Sequence, residues 1–160
     1  DGIRGVTSNP AIFEKAIAAG DEYSAQIVDV APRVGGDPRR IFEALVKRED
    51  DFELVGAVAD GDDCLRAIQD QVPDVLSLDL EMPRMSGRTV LMRLLENNLR
   101  PGVVVVTGLP IWDQPSLSDE LRSLGAHSIL YKDLAPSGND LNLFTREYFN
   151  ALRNAAHFEH

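Results

Sequence analysis

The chain has 160 residues, 44% of them hydrophobic and 26% charged, which is ordinary for one soluble domain able to bury a core. Its net charge of −10 argues against nonspecific binding to nucleic acid or to an anionic membrane surface. The single cysteine, Cys64, excludes an internal disulfide and a cysteine-based metal cluster.

No apolar run reaches the ~18 residues that a membrane span needs, and no secretory signal is visible, so a cytoplasmic location is expected. The sequence sets no oligomeric state.

In chain order, residues 3–8 read as the first strand. Asn9-Pro10 opens a helix that Gly20 stops, with proline in its first turn. A second helical piece covers about 22–30, and the Pro/Gly-bearing stretch 31–37 is a loop. Asp37-Pro38 starts a helix that runs to about 48. A strand over 53–59, a turn at Asp60-Gly61 and a helix over 62–71 follow. Residues 76–80 form a near-continuous apolar strand, the pattern of a parallel strand covered on both faces. A helix over 87–97, a strand over 103–107, a helix over 117–124, a strand over 128–131 and a final helix over 139–156 complete the series. Strands alternating with helices mean an α/β fold with a parallel sheet, and the order 2-1-3-4-5 is expected, as in flavodoxin-like folds. The long stretch between the first two strands makes the pieces at 10–19 and 22–30 an insertion.

Three strand ends carry the chemistry. The buried third strand ends on Asp79, the fourth on Thr107, and the fifth runs into Lys132, one of three lysines in the chain with Lys15 and Lys47. Each alone has a bland explanation, as turn former, structural hydroxyl or solvated edge. Together they place a carboxylate, a hydroxyl and a cation at the C-terminal edge of one sheet. That edge is where open α/β sheets build their crevice. Phosphoryl transfer to a carboxylate needs such charge neutralisation and hydrogen-bond donors around the acceptor.

The run Leu76-Ser77-Leu78-Asp79-Leu80-Glu81-Met82-Pro83-Arg84-Met85-Ser86-Gly87 resembles the phosphoacceptor strand of bacterial response-regulator receiver domains, in particular those of the chemotaxis methylesterases. The resemblance implies a phosphorelay signalling domain rather than an enzyme, with Asp79 as phosphoacceptor, Thr107 and Lys132 contacting the phosphoryl group, and a histidine kinase as partner. It also implies a magnesium ion, held by Asp79, by the carbonyl of Glu81 and by an acidic pair at the end of the first strand. That pair is missing: the first strand ends in Thr7-Ser8-Asn9. An alternative first strand, residues 25–30, would offer Asp29 as one acid. Either way a weak or absent magnesium site and impaired phosphotransfer are expected. The position of the family's switch aromatic holds Ile129, and Asp133 follows the lysine.

Residues 1–17, from Asp1-Gly2-Ile3-Arg4 through Thr7-Ser8-Asn9-Pro10 to Ile17, resemble instead a bacterial transaldolase, and the likeness continues to about residue 46. It would make Asn9 and Thr7 substrate-contacting. The Schiff-base lysine of that family lies on barrel strands absent here, so aldol transfer is a remote alternative. The sequence reads as a single domain, a chimera in which a transaldolase-like βα segment, 1–46, supplies the first strand to a receiver-derived segment, 47–160. The start at Asp1 without methionine fits an engineered or recombined scaffold.

Overall fold

The computed structural model describes residues 2–8, 33, 35, 38–110, 113–132 and 138–157. The expected helices at 10–19 and 22–30, the alternative strand at 25–30, Asn9 and Asp133 lie outside the described residues.

Five parallel strands form one sheet in the order β2-β1-β3-β4-β5. The strands are β1 (Ile3–Thr7), β2 (Phe52–Ala57), β3 (Val75–Asp79), β4 (Gly102–Thr107) and β5 (Ala126–Tyr131). The helices are α1 (Pro38–Val46) before β2, α2 (Gly61–Asp70), α3 (Gly87–Glu96), α4 (Pro115–Ser123) and the long α5 (Gly138–Ala156). The sheet has the expected flavodoxin-like order. β1 sits between β2 and β3, with Thr7 opposite Ala57 on one side and Ser77 on the other. Residues near the chain start therefore hold the central position that the competing segment 25–30 would have taken.

The alternation of a strand explains the two cores. Val75, Val104 and Val106 face α1 and α5, where Ile41, Phe42, Leu45, Tyr148, Phe149 and Leu152 pack against them. Leu76, Leu78, Val103 and Val105 face the other way, onto Cys64, Ile68, Val90, Leu91, Leu94 and Leu121 of α2, α3 and α4. Both faces of β3 and β4 are covered, so their sequences show apolar runs instead of alternation. At about 1.5–3 kcal/mol per buried large side chain, these two layers outweigh any single polar contact in holding the sheet.

Element ends differ from the sequence reading by one or two residues, for local reasons. β5 begins at Ala126 because Gly125, at φ +104°, turns the chain directly from α4 into the sheet. β2 stops at Ala57 because Asp60 already caps α2, its side chain accepting from the Asp63 N–H at 3.0 Å. Cys64 is fully buried in α2, and burial pushes its thiol up to about 12. It acts as a small apolar core residue, not a reactive thiol.

The C-terminal helix is tied down by charge as well as by its apolar stripe. Arg153 donates to Asp51 at 2.6 and 2.9 Å, pairs with Glu49, and lies 5.2 Å from the centre of the Phe52 ring. The Arg153 hydrogen bond holds the Asp51 carboxyl below the usual carboxylate range. Next to this clamp α5 comes unusually close to β4: a Cβ on Gly102 would lie 2.0 Å from the Ala155 carbonyl oxygen. Gly102→Ala must push backbone against backbone, so it should lower unfolding free energy by about 1–3 kcal/mol, read by urea denaturation.

Candidate functional site

The crevice lies over the C-terminal ends of the strands. β3 delivers Asp79 there, one strand position beyond the buried Leu78. The Asp79 side chain is only 10% exposed, so its charge needs partners. It has two. Oδ1 accepts from the Glu81 N–H at 3.0 Å, and Oδ2 forms an ion pair with Lys132 Nζ. Lys132 follows directly after β5, and its own N–H donates to the Thr107 carbonyl at 2.9 Å. The lysine is thereby anchored to the end of β4 while its ammonium crosses to the end of β3.

Thr107 is fully buried at the end of β4. Its hydroxyl oxygen accepts from the Leu109 N–H at 3.0 Å, which closes the turn and leaves its own proton to donate. The structure thus brings Asp79 and Lys132 into direct contact and sets Thr107 at the adjoining strand end.

The first strand contributes differently at each of its last residues. The Ser8 hydroxyl accepts from the Asp79 N–H at 2.9 Å and donates to the Ser77 carbonyl at 3.3 Å. Ser8 is spent on the backbone beneath Asp79. Thr7, one residue earlier, belongs to the opposite face. Together with Ser77 it lines a small cavity beside Tyr148 of α5, whose hydroxyl burial pushes up as a titrating group. Thr7 therefore does not line the crevice with Ser8.

The loop after Asp79 is fixed at both ends. At its far end Ser86 caps α3, accepting from the Thr89 N–H at 3.3 Å. A Cβ on the next residue, Gly87, would lie 2.1 Å from the Asp79 carbonyl oxygen. Only glycine lets α3 start this close to the end of β3. Arg84 in this loop pairs with Asp60 at the start of α2, a contact the sequence reading missed. The only local signal for it was a basic residue in a loop that follows an acidic helix start.

Among the described residues no cluster of three or more His, Cys, Asp or Glu side chains could hold a metal ion. Among the described residues, what the crevice offers a hard cation is the Asp79 carboxylate, already paired with Lys132, and neutral oxygens. Glu81 contributes its N–H to Asp79, and its side chain is exposed. Ile129 and Tyr131 both pack against the core formed with α2, α3 and α4.

The described helices include none long and apolar enough to cross a membrane. The profile of the response regulator receiver domain family matches residues 37–139. Over 118 residues the chain is 32% identical to protein-glutamate methylesterase/protein-glutamine glutaminase 3 of Rhodopseudomonas palustris, covering 74% of this chain and 32% of that protein. It is 29% identical over 119 residues to protein-glutamate methylesterase/protein-glutamine glutaminase 1 of Myxococcus xanthus, covering 74% and 33%. The chain spans about a third of the length of these curated relatives. In fold it is similar to the response regulator domain of Thermotoga maritima CheB, with a TM-score of 0.70 at 16% identity and full coverage of both chains. It is similar also to the CheX-CheY-BeF3-Mg+2 complex of Borrelia burgdorferi, with a TM-score of 0.57 at 17% identity over 92% of this chain and 89% of that one. None of these relatives is a transaldolase. With its profile matched over more than half of the sequence, the chain belongs to the response regulator receiver domain family.

Proposed function

We propose that this chain is a receiver-type phosphoacceptor domain in which Asp79 is the acceptor, Lys132 and Thr107 contact the phosphoryl group, and phosphotransfer is impaired. One observation carries the reading: Asp79 is paired with Lys132 at the sheet edge, while the end of β1 supplies the hydroxyl of Ser8 where the family has carboxylates. In the reaction an Asp79 oxygen attacks phosphorus and the bond from phosphorus to its leaving group breaks. Both the carboxylate and the phosphoryl donor are anionic, so the approach is repulsive. Lys132 offsets one charge and the Thr107 proton stabilises one equatorial oxygen. No further positive charge is available from Thr7, Ser8 or Asn9, which are neutral and recruit a cation poorly. The residues present do not fit a tight magnesium site; Asp79 and the carbonyl of Glu81 alone would hold the ion weakly.

On this reading the phosphoryl donor is a histidine kinase or a small acyl phosphate, and the chain has no enzymatic activity of its own. The methylesterase and glutaminase activities named for the relatives belong to proteins about three times as long. The reading includes no nucleic-acid or membrane partner and a cytoplasmic location, in keeping with the net charge of −10. A working receiver is the second reading, favoured by the intact contact between Asp79 and Lys132.

We take residues 1–46 as a transaldolase-like βα segment, which makes the protein a chimeric scaffold of designed or recombined origin. Support comes from the Thr7-Ser8-Asn9-Pro10 run and from the start of the receiver profile at residue 37, which leaves β1 outside it. The segment is nonetheless integral to the single domain. A fragment beginning at residue 37 lacks the strand between β2 and β3, and it should show no cooperative unfolding by circular dichroism. A cooperatively folded fragment would contradict that account.

Intact-mass analysis after treatment with acetyl phosphate and magnesium tests the main reading, with Asp79→Asn as the control. The unmodified chain should carry little or no phosphoryl adduct. Ser8→Asp, which adds a carboxylate beside Asp79, should raise magnesium-dependent adduct formation on the order of tenfold. Near-complete, magnesium-dependent phosphorylation of the unmodified chain would return the protein to the working receivers.

A further inference from the structure

The loop that orients Asp79 is held from outside the crevice. Residues 80–86 carry the Glu81 amide that donates to Asp79 Oδ1 at 3.0 Å. In the same loop Arg84 adopts φ +63°, a left-handed conformation that a side-chain-bearing residue keeps only where its surroundings hold it. Its guanidinium faces the first turn of α2. It bonds Asp60 Oδ2, and it lies 3.4 Å from Asp63 Oδ2 and 3.9 Å from Asp62 Oδ2. The second oxygen of Asp60 caps α2 by accepting from the Asp63 N–H at 3.0 Å. That N–H bond and the arginine together hold the Asp60 carboxyl below its usual range. The next loop residue is seated on the same turn: a Cβ on Gly61 would lie 2.5 Å from the Met85 carbonyl oxygen. Two consecutive loop residues thus rest on the start of α2, and the other end of the loop ends on the acceptor carboxylate.

We propose that Arg84 is a positioning residue for Asp79: its pairing with Asp60 fixes the loop whose Glu81 N–H holds one carboxylate oxygen, leaving the other directed at Lys132. The functional meaning rests on Asp79 being the acceptor, but the geometry does not. The Asp60 side chain is 11% exposed and that of Arg84 57%, so the pair is partly screened and its effect is modest. It is a local effect on one loop, not on the two cores.

Amide exchange and proton–nitrogen NMR spectra of the unphosphorylated chain test this without any phosphotransfer, so the result is independent of whether Asp79 accepts phosphate. The variants are Arg84→Gln, Asp60→Asn, their combination, and Arg84→Lys. Asparagine keeps a capping oxygen for the Asp63 N–H, so Asp60→Asn removes the charge and spares the helix start. Each of Arg84→Gln and Asp60→Asn should speed exchange at the Glu81 amide about fivefold. The Glu81 proton resonance should move toward its position in Asp79→Ala. The combination should add nothing to either single change, since both break one pair. Arg84→Lys should recover part of the protection. The Thr89 amide, capped by Ser86, should stay unchanged. An unaltered Glu81 amide in the single variants, additive effects in the combination, or an equal change at Thr89 would overturn the proposal.

Discussion

A carboxylate at the end of an apolar strand, 10% exposed, is costly unless it is paired and hydrogen-bonded, and the upper edge of this molecule is arranged around that cost at Asp79. One oxygen takes the Glu81 N–H and the other takes the Lys132 ammonium. The peptide N–H of the same residue donates to the Ser8 hydroxyl. Three chain segments, far apart in sequence, meet on one residue because the parallel sheet delivers every strand end to the same edge. Removing Lys132 alone would leave the charge buried without its counter-ion, which is the more damaging half of breaking such a pair.

On the proposed reading, the same arrangement is what makes the site a poor acceptor of phosphate. The ion pair between Asp79 and Lys132 satisfies the resting carboxylate, and Ser8 satisfies the backbone beneath it. Neither contributes the extra positive charge, or the negative charge that recruits a cation, that a second anionic group demands on arrival. The ends of β3 and β5 set the contact between Asp79 and Lys132, and the end of β1 brings the Ser8 hydroxyl to the Asp79 backbone.

Much of the fold was legible because it follows from apolar runs. The four valines of β4 and the leucines of β3 mark strands buried on both faces, and glycine or proline marks most of the joints. Asp79 and Lys132 were legible as a pair because a motif and a strand order fix both to one edge. Which way Thr7 and Ser8 face was not. Adjacent residues take opposite faces, and the pairing of β1 with β2 shifts register between Gly5 and Val6, which no local pattern announces. Arg84 was read only as part of a motif, because its partner lies on a different helix and long-range ion pairs leave no periodic trace. The need for glycine at position 102 was hidden for the same reason, since it comes from α5 at the far end of the chain. The inserted helices and Asn9 fall outside the described residues, so their part of the sequence reading stands only as an expectation.

The account turns on whether the crevice attracts a divalent cation. A magnesium titration followed at the Glu81 amide, which sits directly on the Asp79 carboxylate, measures that with no dependence on phosphoryl chemistry. The account predicts no saturable shift up to about 10 mM magnesium, and saturation at lower concentration in Ser8→Asp, where a carboxylate joins Asp79. A saturable shift in the unmodified chain below about 1 mM would contradict it, because an ion held that tightly would show that the missing acidic pair had been replaced.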